Sequence, residues 1–231
     1  MLEFGGIQKL TLLDFPGRVA CTVFTKGCNL RCPFCHNASL VLDPLGGPAV
    51  TEAELFDFLE KRRGMLTGVA ITGGEPLLHP WIEDVLRRLH AEGFATKLDT
   101  NGCFPDRLRH IIEEGLVDYV AMDIKNSPER YGMTVGIRNF DLTPVMESVS
   151  LLREGKVPFE FRTTAVKGFH SPEDMAAIGR WLGPVEHYYI QCYKDSGDLI
   201  GGPFGTMTDE EYDALLAAVK PYIPAAEIRG R

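Results

Sequence analysis

The feature that most constrains the fold of this chain is an alternation of two hydrophobic periods, repeated six times. Apolar, β-branched runs read as strands at Val19–Phe24, Gly68–Ile71, Ala95–Leu98, Tyr119–Met122, Phe159–Ala165 and Tyr188–Gln191. Helical patterns fill the gaps between them. Thr51–Glu54 spells the capping box T-x-x-E ahead of Leu55, Phe58 and Leu59, and a second helix starts at Pro80 with Ile82, Val85, Leu86 and Leu89 on one stripe before Gly93. Arg107–Glu114, Pro144–Arg153 and Ser171–Leu182 follow, and Thr208–Glu211 caps a last helix through Leu215, Leu216 and Val219. Strand alternating with helix implies a parallel sheet with right-handed crossovers, either open and doubly wound or a full or partial barrel.

With no internal repeat or linker, residues 1–231 read as one domain. The formal net charge of −8 argues against a nucleic-acid partner. The first residues, MLEFGGIQKLTLLDFPG, lack the basic-then-apolar order of a signal peptide, and no window holds the roughly 18 apolar residues of a membrane span. A cytoplasmic protein without a membrane partner is expected. Its six cysteines are then thiols, and their placement matters more than their number. Cys28, Cys32 and Cys35 crowd together, while Cys21, Cys103 and Cys192 are scattered and read as structural.

Ligands of both candidate architectures sit where strands end and helices begin. The unusual residues fall there. The first strand leads into Gly27-Cys28-Asn29-Leu30-Arg31-Cys32-Pro33-Phe34-Cys35-His36-Asn37 and the second into Thr72-Gly73-Gly74-Glu75-Pro76. The third ends in Asp99-Thr100-Asn101-Gly102, the fourth in Asp123-Ile124-Lys125, and the fifth carries Arg162. Thiolates hold iron–sulfur clusters, and three ligands to a cubane leave one iron open, a catalytic rather than structural arrangement. On spacing alone C-x3-C-x2-C admits iron or zinc. The histidines His36, His79, His90, His110, His170 and His187 show no metal-binding spacing, and none is assigned to a metal.

The C-x3-C-x2-C loop after the first strand resembles the radical S-adenosylmethionine superfamily, and the likeness spans most of the chain. The resemblance implies a partial (β/α)6 TIM-like barrel and a [4Fe–4S] cluster on Cys28, Cys32 and Cys35 whose open iron is chelated by S-adenosylmethionine. It also implies reductive cleavage of that cofactor to a 5′-deoxyadenosyl radical. Phe34 matches a position near the adenine in relatives and reads equally as a core contact. Gly73-Gly74-Glu75 resembles the family's GGE motif, in which glycine allows close backbone approach to a ligand and Glu75 accepts from the cofactor's ammonium.

Asp99-Thr100-Asn101-Gly102 and Asp123-Ile124-Lys125 resemble a narrower branch, the glycyl-radical-enzyme activases. There the Asp-Thr and Asp positions help hold a monovalent cation, Lys125 orients the cofactor, and Arg162 meets its carboxylate. Gly6-Ile7-Gln8-Lys9-Leu10-Thr11-Leu12-Leu13-Asp14-Phe15-Pro16-Gly17 and Cys32-Pro33-Phe34-Cys35-His36-Asn37 are most similar to the activating proteins of anaerobic ribonucleoside-triphosphate reductase. The resemblance implies hydrogen abstraction from a glycine of such a glycyl-radical enzyme, with an electron donor such as flavodoxin or ferredoxin. Gln191-Cys192-Tyr193-Lys194 stands where pyruvate formate-lyase activases carry a histidine, and only fifteen residues separate Cys35 from Thr51, too few for a second cluster domain. The competing functions are a radical enzyme acting on a small molecule or peptide and a non-catalytic zinc or iron–sulfur module.

Overall fold

The computed structural model describes residues 2–47 and 49–231. Its strands are β1 (Glu3–Phe4), β2 (Gly6–Thr11), β3 (Ala20–Thr25), β4 (Val50–Thr51), β5 (Gly68–Gly73), β6 (Ala95–Thr100), β7 (Tyr119–Asp123), β8 (Phe159–Ala165), β9 (Tyr188–Cys192) and β10 (Glu227–Arg229). The helices are α1 (Ala38–Leu42), α2 (Glu52–Glu60), α3 (Ile82–Ala91), α4 (Pro105–Glu113), α5 (Tyr131–Thr134), α6 (Thr143–Arg153), α7 (Pro172–Leu182) and α8 (Asp209–Val219). Each of the six expected strands forms, with bounds moved by two residues at most.

Local chemistry explains where the helices begin. Thr51, Ser171 and Thr208 each accept from the backbone N–H three residues on, and the side chain of Glu54, Asp174 or Glu211 reaches back. Gly93, at φ +85°, ends the α3 segment in a conformation that alanine would resist.

The main sheet runs in the order β10-β9-β8-β7-β6-β5-β3-β2. Every neighbouring pair is parallel except β2 with β3. This is the expected partial barrel, extended at one edge by antiparallel β2 and at the other by β10, both absent from the six-unit reading. The outward residues Val69, Ile71, Leu98, Val120, Met122, Phe161, Tyr188 and Ile190 are fully buried in the core that the helices cover. The alternate residues face a polar lumen. Phe15, on the turn after β2, plugs its lower end: a Cβ on Gly68 would lie 2.9 Å from the Phe15 ring, which packs 6.4 Å from that of Tyr119.

Candidate functional site

At the carboxyl ends of the strands a cavity of about 290 Å³ is walled by Cys28, Cys32, Cys35, Phe34, Gly73, Gly74, Glu75, Asp99, Thr100, Asn101, Asp123, Lys125 and Arg162. The fold thus gathers every residue singled out from the sequence. Gln8, Asp14 and Gln191 join them from β2, its following turn and β9.

The cysteine loop is set by its own backbone. Cys35 N–H donates to the Cys32 carbonyl at 2.9 Å, and Arg31 folds back to donate to the carbonyls of Cys28 and Leu30 at 2.6 and 2.7 Å. Leu30 N–H points at Cys28 Sγ from 3.4 Å, and Asn101 Nδ2 approaches that sulfur at 3.8 Å. All six cysteines are free thiols. Burial pushes the Cys28 thiol up to about 11 and Cys32 to about 12, while the Lys125 ammonium pulls both back. Among the described residues no three His, Cys, Asp or Glu side chains converge on a point that would hold one metal ion. Three thiols on one wall, with N–H donors aimed at sulfur, fit a cubane, each of whose corners takes its own thiolate.

Gly73 and Gly74 serve a purpose the sequence did not disclose. A Cβ on Gly73, whose φ is +108°, would meet Thr25 N at 2.4 Å, and one on Gly74 would meet the Gly27 carbonyl oxygen at 1.8 Å. The pair lets this loop lie directly on the lead-in to the cysteines, where Gly74 N–H donates to Thr25 O and Glu75 N–H to Gly27 O, both at 2.9 Å. Close approach to neighbouring backbone is one thing these glycines permit, and both also line the cavity.

Glu75 is 1% exposed and accepts from Thr100 Oγ1 at 2.9 Å, Leu77 N–H at 3.0 Å and Asn101 N–H at 2.7 Å. It ties the β5 and β6 loops together. Burial pushes its carboxyl up to about 7 against these donors. A carboxylate offers about four acceptor sites, so about one remains for a donor in the cavity.

Below lies a chain of charges. Arg162 donates from Nε to Asp123 at 3.0 Å and from Nη1 to Asp99 at 3.2 Å; Lys125 pairs with Asp123 at 2.9 Å, and Lys97 with Asp99. Burial opposes charge on Asp99, Asp123, Lys125 and Arg162, yet the partners prevail: both carboxyls titrate below their usual range and both cations above theirs. Arg162 and Lys125 stand among Asp99, Asp123, Asp14 and Glu75 on the cavity wall, so positive charge is offered locally, at those two side chains, to a ligand carboxylate. A monovalent cation would have to share Asp99 and Asp123 with Arg162 and the lysines, so these residues fit the expected cation poorly.

Lys97, 1% exposed, escaped the sequence reading, although it lies on the same strand face as Asp99. His170 escaped too. Val166 N–H donates to its Nδ1 at 3.0 Å, leaving Nε2–H to donate to the Lys125 carbonyl at 2.8 Å, which fixes the loop carrying Lys125. Phe34 packs edge-on against Phe169, with centroids 5.1 Å apart, so it is a core contact as well as part of the wall. The segment 194–207 straps the cysteine loop from outside. Asp198 accepts from Ser39 N–H and Oγ at 3.1 and 2.7 Å, and Gly201 N–H donates to Pro33 O at 2.7 Å.

Comparison with known proteins points the same way. Residues 22–182 match the family model described as the Radical SAM superfamily. A Methanocaldococcus jannaschii protein, provisionally named a glycyl-radical enzyme activating enzyme, is 30% identical over 97% of this chain and 94% of its own length. The pyruvate formate-lyase 1-activating enzyme of Escherichia coli is 31% identical over 80% of this chain and 78% of its own. Among solved structures, Streptococcus suis SuiB bound to S-adenosylmethionine superposes with a TM-score of 0.65 at 16% identity, covering 88% of this chain and 48% of that one. That likeness is one of fold, and the chain spans about half of SuiB's length. No described helix is long and apolar enough to cross a membrane.

Proposed function

We propose that this chain, which belongs to the radical SAM superfamily, activates a glycyl-radical enzyme, and that this enzyme is an anaerobic ribonucleotide reductase. The observation that carries the reading is the convergence of three unpaired thiols with the Glu75 loop and the charged lumen around one cavity. When bound, a [4Fe–4S] cluster and S-adenosylmethionine supply reductive carbon–sulfur cleavage and a radical able to take hydrogen from glycine.

Cys28, Cys32 and Cys35 would hold three corners of that cluster, leaving the fourth to the cofactor. Glu75 has an acceptor site left for the cofactor's ammonium. Gly73 and Gly74 seat that carboxylate against the cysteine loop, and Thr100 and Asn101 lock it by donating to both of its oxygens. Arg162 would meet the carboxylate, with Lys125 beside it and with Asp99 and Asp123 holding the guanidinium in place. The anionic end of the cofactor would then face Arg162 and Lys125 and its ammonium would face Glu75. Phe34 offers an apolar wall to the adenine.

The partner assignment rests on the D-F-P-G turn and the C-P-F-C-H-N loop. The turn's Asp14 accepts from Thr22 Oγ1 at 2.6 Å beside the cavity, so both segments meet at the site. An electron donor such as flavodoxin or ferredoxin would approach the cluster around Arg31, exposed between the cysteines.

Anaerobic reconstitution with iron and sulfide should give a broad band near about 400 nm that a Cys28→Ala variant lacks. The dithionite-reduced protein should convert S-adenosylmethionine to 5′-deoxyadenosine and, with the ribonucleotide reductase of the same organism, produce a glycyl-radical doublet in electron paramagnetic resonance. Absence of 5′-deoxyadenosine would refute the enzyme class. Its presence with no doublet on the reductase, but a doublet on another glycyl-radical enzyme, would refute the partner.

A further inference from the structure

Arg162 has a third carboxylate within range. Glu160 Oε1 lies 4.0 Å from its Nη1. Two residues apart on β8, Glu160 and Arg162 face the same lumen, with Glu160 farther from the cavity. Glu160 is 1% exposed, and a buried carboxylate without a partner draws on any cation it can reach. What occupies it comes from the other end of the sequence. Arg229 on β10 donates from Nη1 and Nη2 to its two oxygens, both at 3.1 Å, and Tyr119 Oη adds a third donor at 3.3 Å. The Arg229 guanidinium lies over the Tyr189 ring, 3.5 Å from its centre, and β10 is held in parallel register on β9 with Arg229 opposite Gln191.

We propose that Arg229 is a positioning residue for Arg162: by satisfying Glu160 it leaves the Arg162 guanidinium to Asp99 and Asp123, at the level of the cavity. Without Arg229, Glu160 competes for Arg162 and draws it down the lumen, away from the cofactor's carboxylate. β10 thereby joins the site though it touches none of the cavity, and the inference rests on that cavity being the S-adenosylmethionine site.

Equilibrium binding of S-adenosylmethionine to the anaerobically reconstituted protein, without reductant, tests this. Arg229→Met should weaken binding by about tenfold, the size of one charge-assisted hydrogen bond. Glu160→Gln should stay within about twofold of wild type, because the half-exposed Arg229 returns to solvent. The double variant, which removes both charges and so spares the fold a lone buried carboxylate, should bind nearly as tightly as wild type. Wild-type affinity in Arg229→Met, or a double variant as weak as Arg229→Met, would overturn the proposal. No saturable binding by wild type would instead overturn the cofactor reading beneath it.

Discussion

Replacing Gly74 by alanine tests whether the two glycines exist for the contact between loops. The new methyl would sit 1.8 Å from the Gly27 carbonyl oxygen, with Gly27 C at 2.6 Å, so backbone rather than a flexible side chain must give way. It falls short of ordinary contact by roughly 1.5 Å. Separation by that much breaks the 2.9 Å bonds from Gly74 N–H to Thr25 O and from Glu75 N–H to Gly27 O. Two backbone hydrogen bonds at about 1 kcal/mol each and an overpacking strain of about 1 to 3 kcal/mol give a loss of about 3 to 5 kcal/mol. For a chain of this size that lowers the melting temperature by roughly 10 °C. Gly93→Ala is the control. Gly93 has positive φ but open space around it, so only the backbone cost of about 1 to 2 kcal/mol applies. Thermal unfolding of the apoprotein and iron content after reconstitution are the assays. If Gly74→Ala melts no lower than Gly93→Ala and loads iron normally, the packing argument is wrong.

The other predictions follow from the same geometry. With its folded pKa raised to about 7 from 4.5, Glu75 contributes stability that is fully present below about pH 4.5 and lost as pH rises through about 7, about 3 kcal/mol in all. Urea unfolding between pH 5 and 7 should slope downward in wild type and be flatter in Glu75→Gln; equal slopes would remove Glu75 as the cause. Iron loading must expel protons from the buried Cys28 and Cys32 thiols, so apparent affinity should rise with pH, and Lys125→Met, which removes a charge favouring the Cys32 thiolate, should shift that rise to higher pH. An unshifted iron titration would refute it. Asp198→Ala should cost about 1 kcal/mol, the value of a lost cap, and speed proteolytic cleavage within 194–207; an unchanged digestion rate would mean the strap is held elsewhere.

Much of the site was legible in the sequence because its residues are tied to strand ends. A strand of known phase fixes where its loop emerges, so the sequence alone places Cys28, Glu75, Asp99, Asp123 and Arg162 on one rim. Roles were less legible than positions. Gly73-Gly74 reads as a ligand-approach motif, and its second neighbour, the backbone of Thr25–Gly27 some fifty residues away in sequence, has no local signature. Lys97 hid within a run that read as apolar, because alternation says which residues share a face but not whether that face meets solvent or a lumen.

What the sequence determined alone is therefore the periodic part: six strands, the capped helices between them, and a cysteine spacing that admits few chemistries. What only the tertiary structure decided is pairing across the lumen. β2 and β10 carry too few apolar residues to announce themselves, and they are strands because a neighbour offers its open edge. The assignment of Arg162 to Asp99 and Asp123, and of Arg229 to Glu160, depends on distances of a few ångströms between strands far apart in the chain. Coulomb energy in a buried site varies steeply over such distances, and no local pattern encodes them.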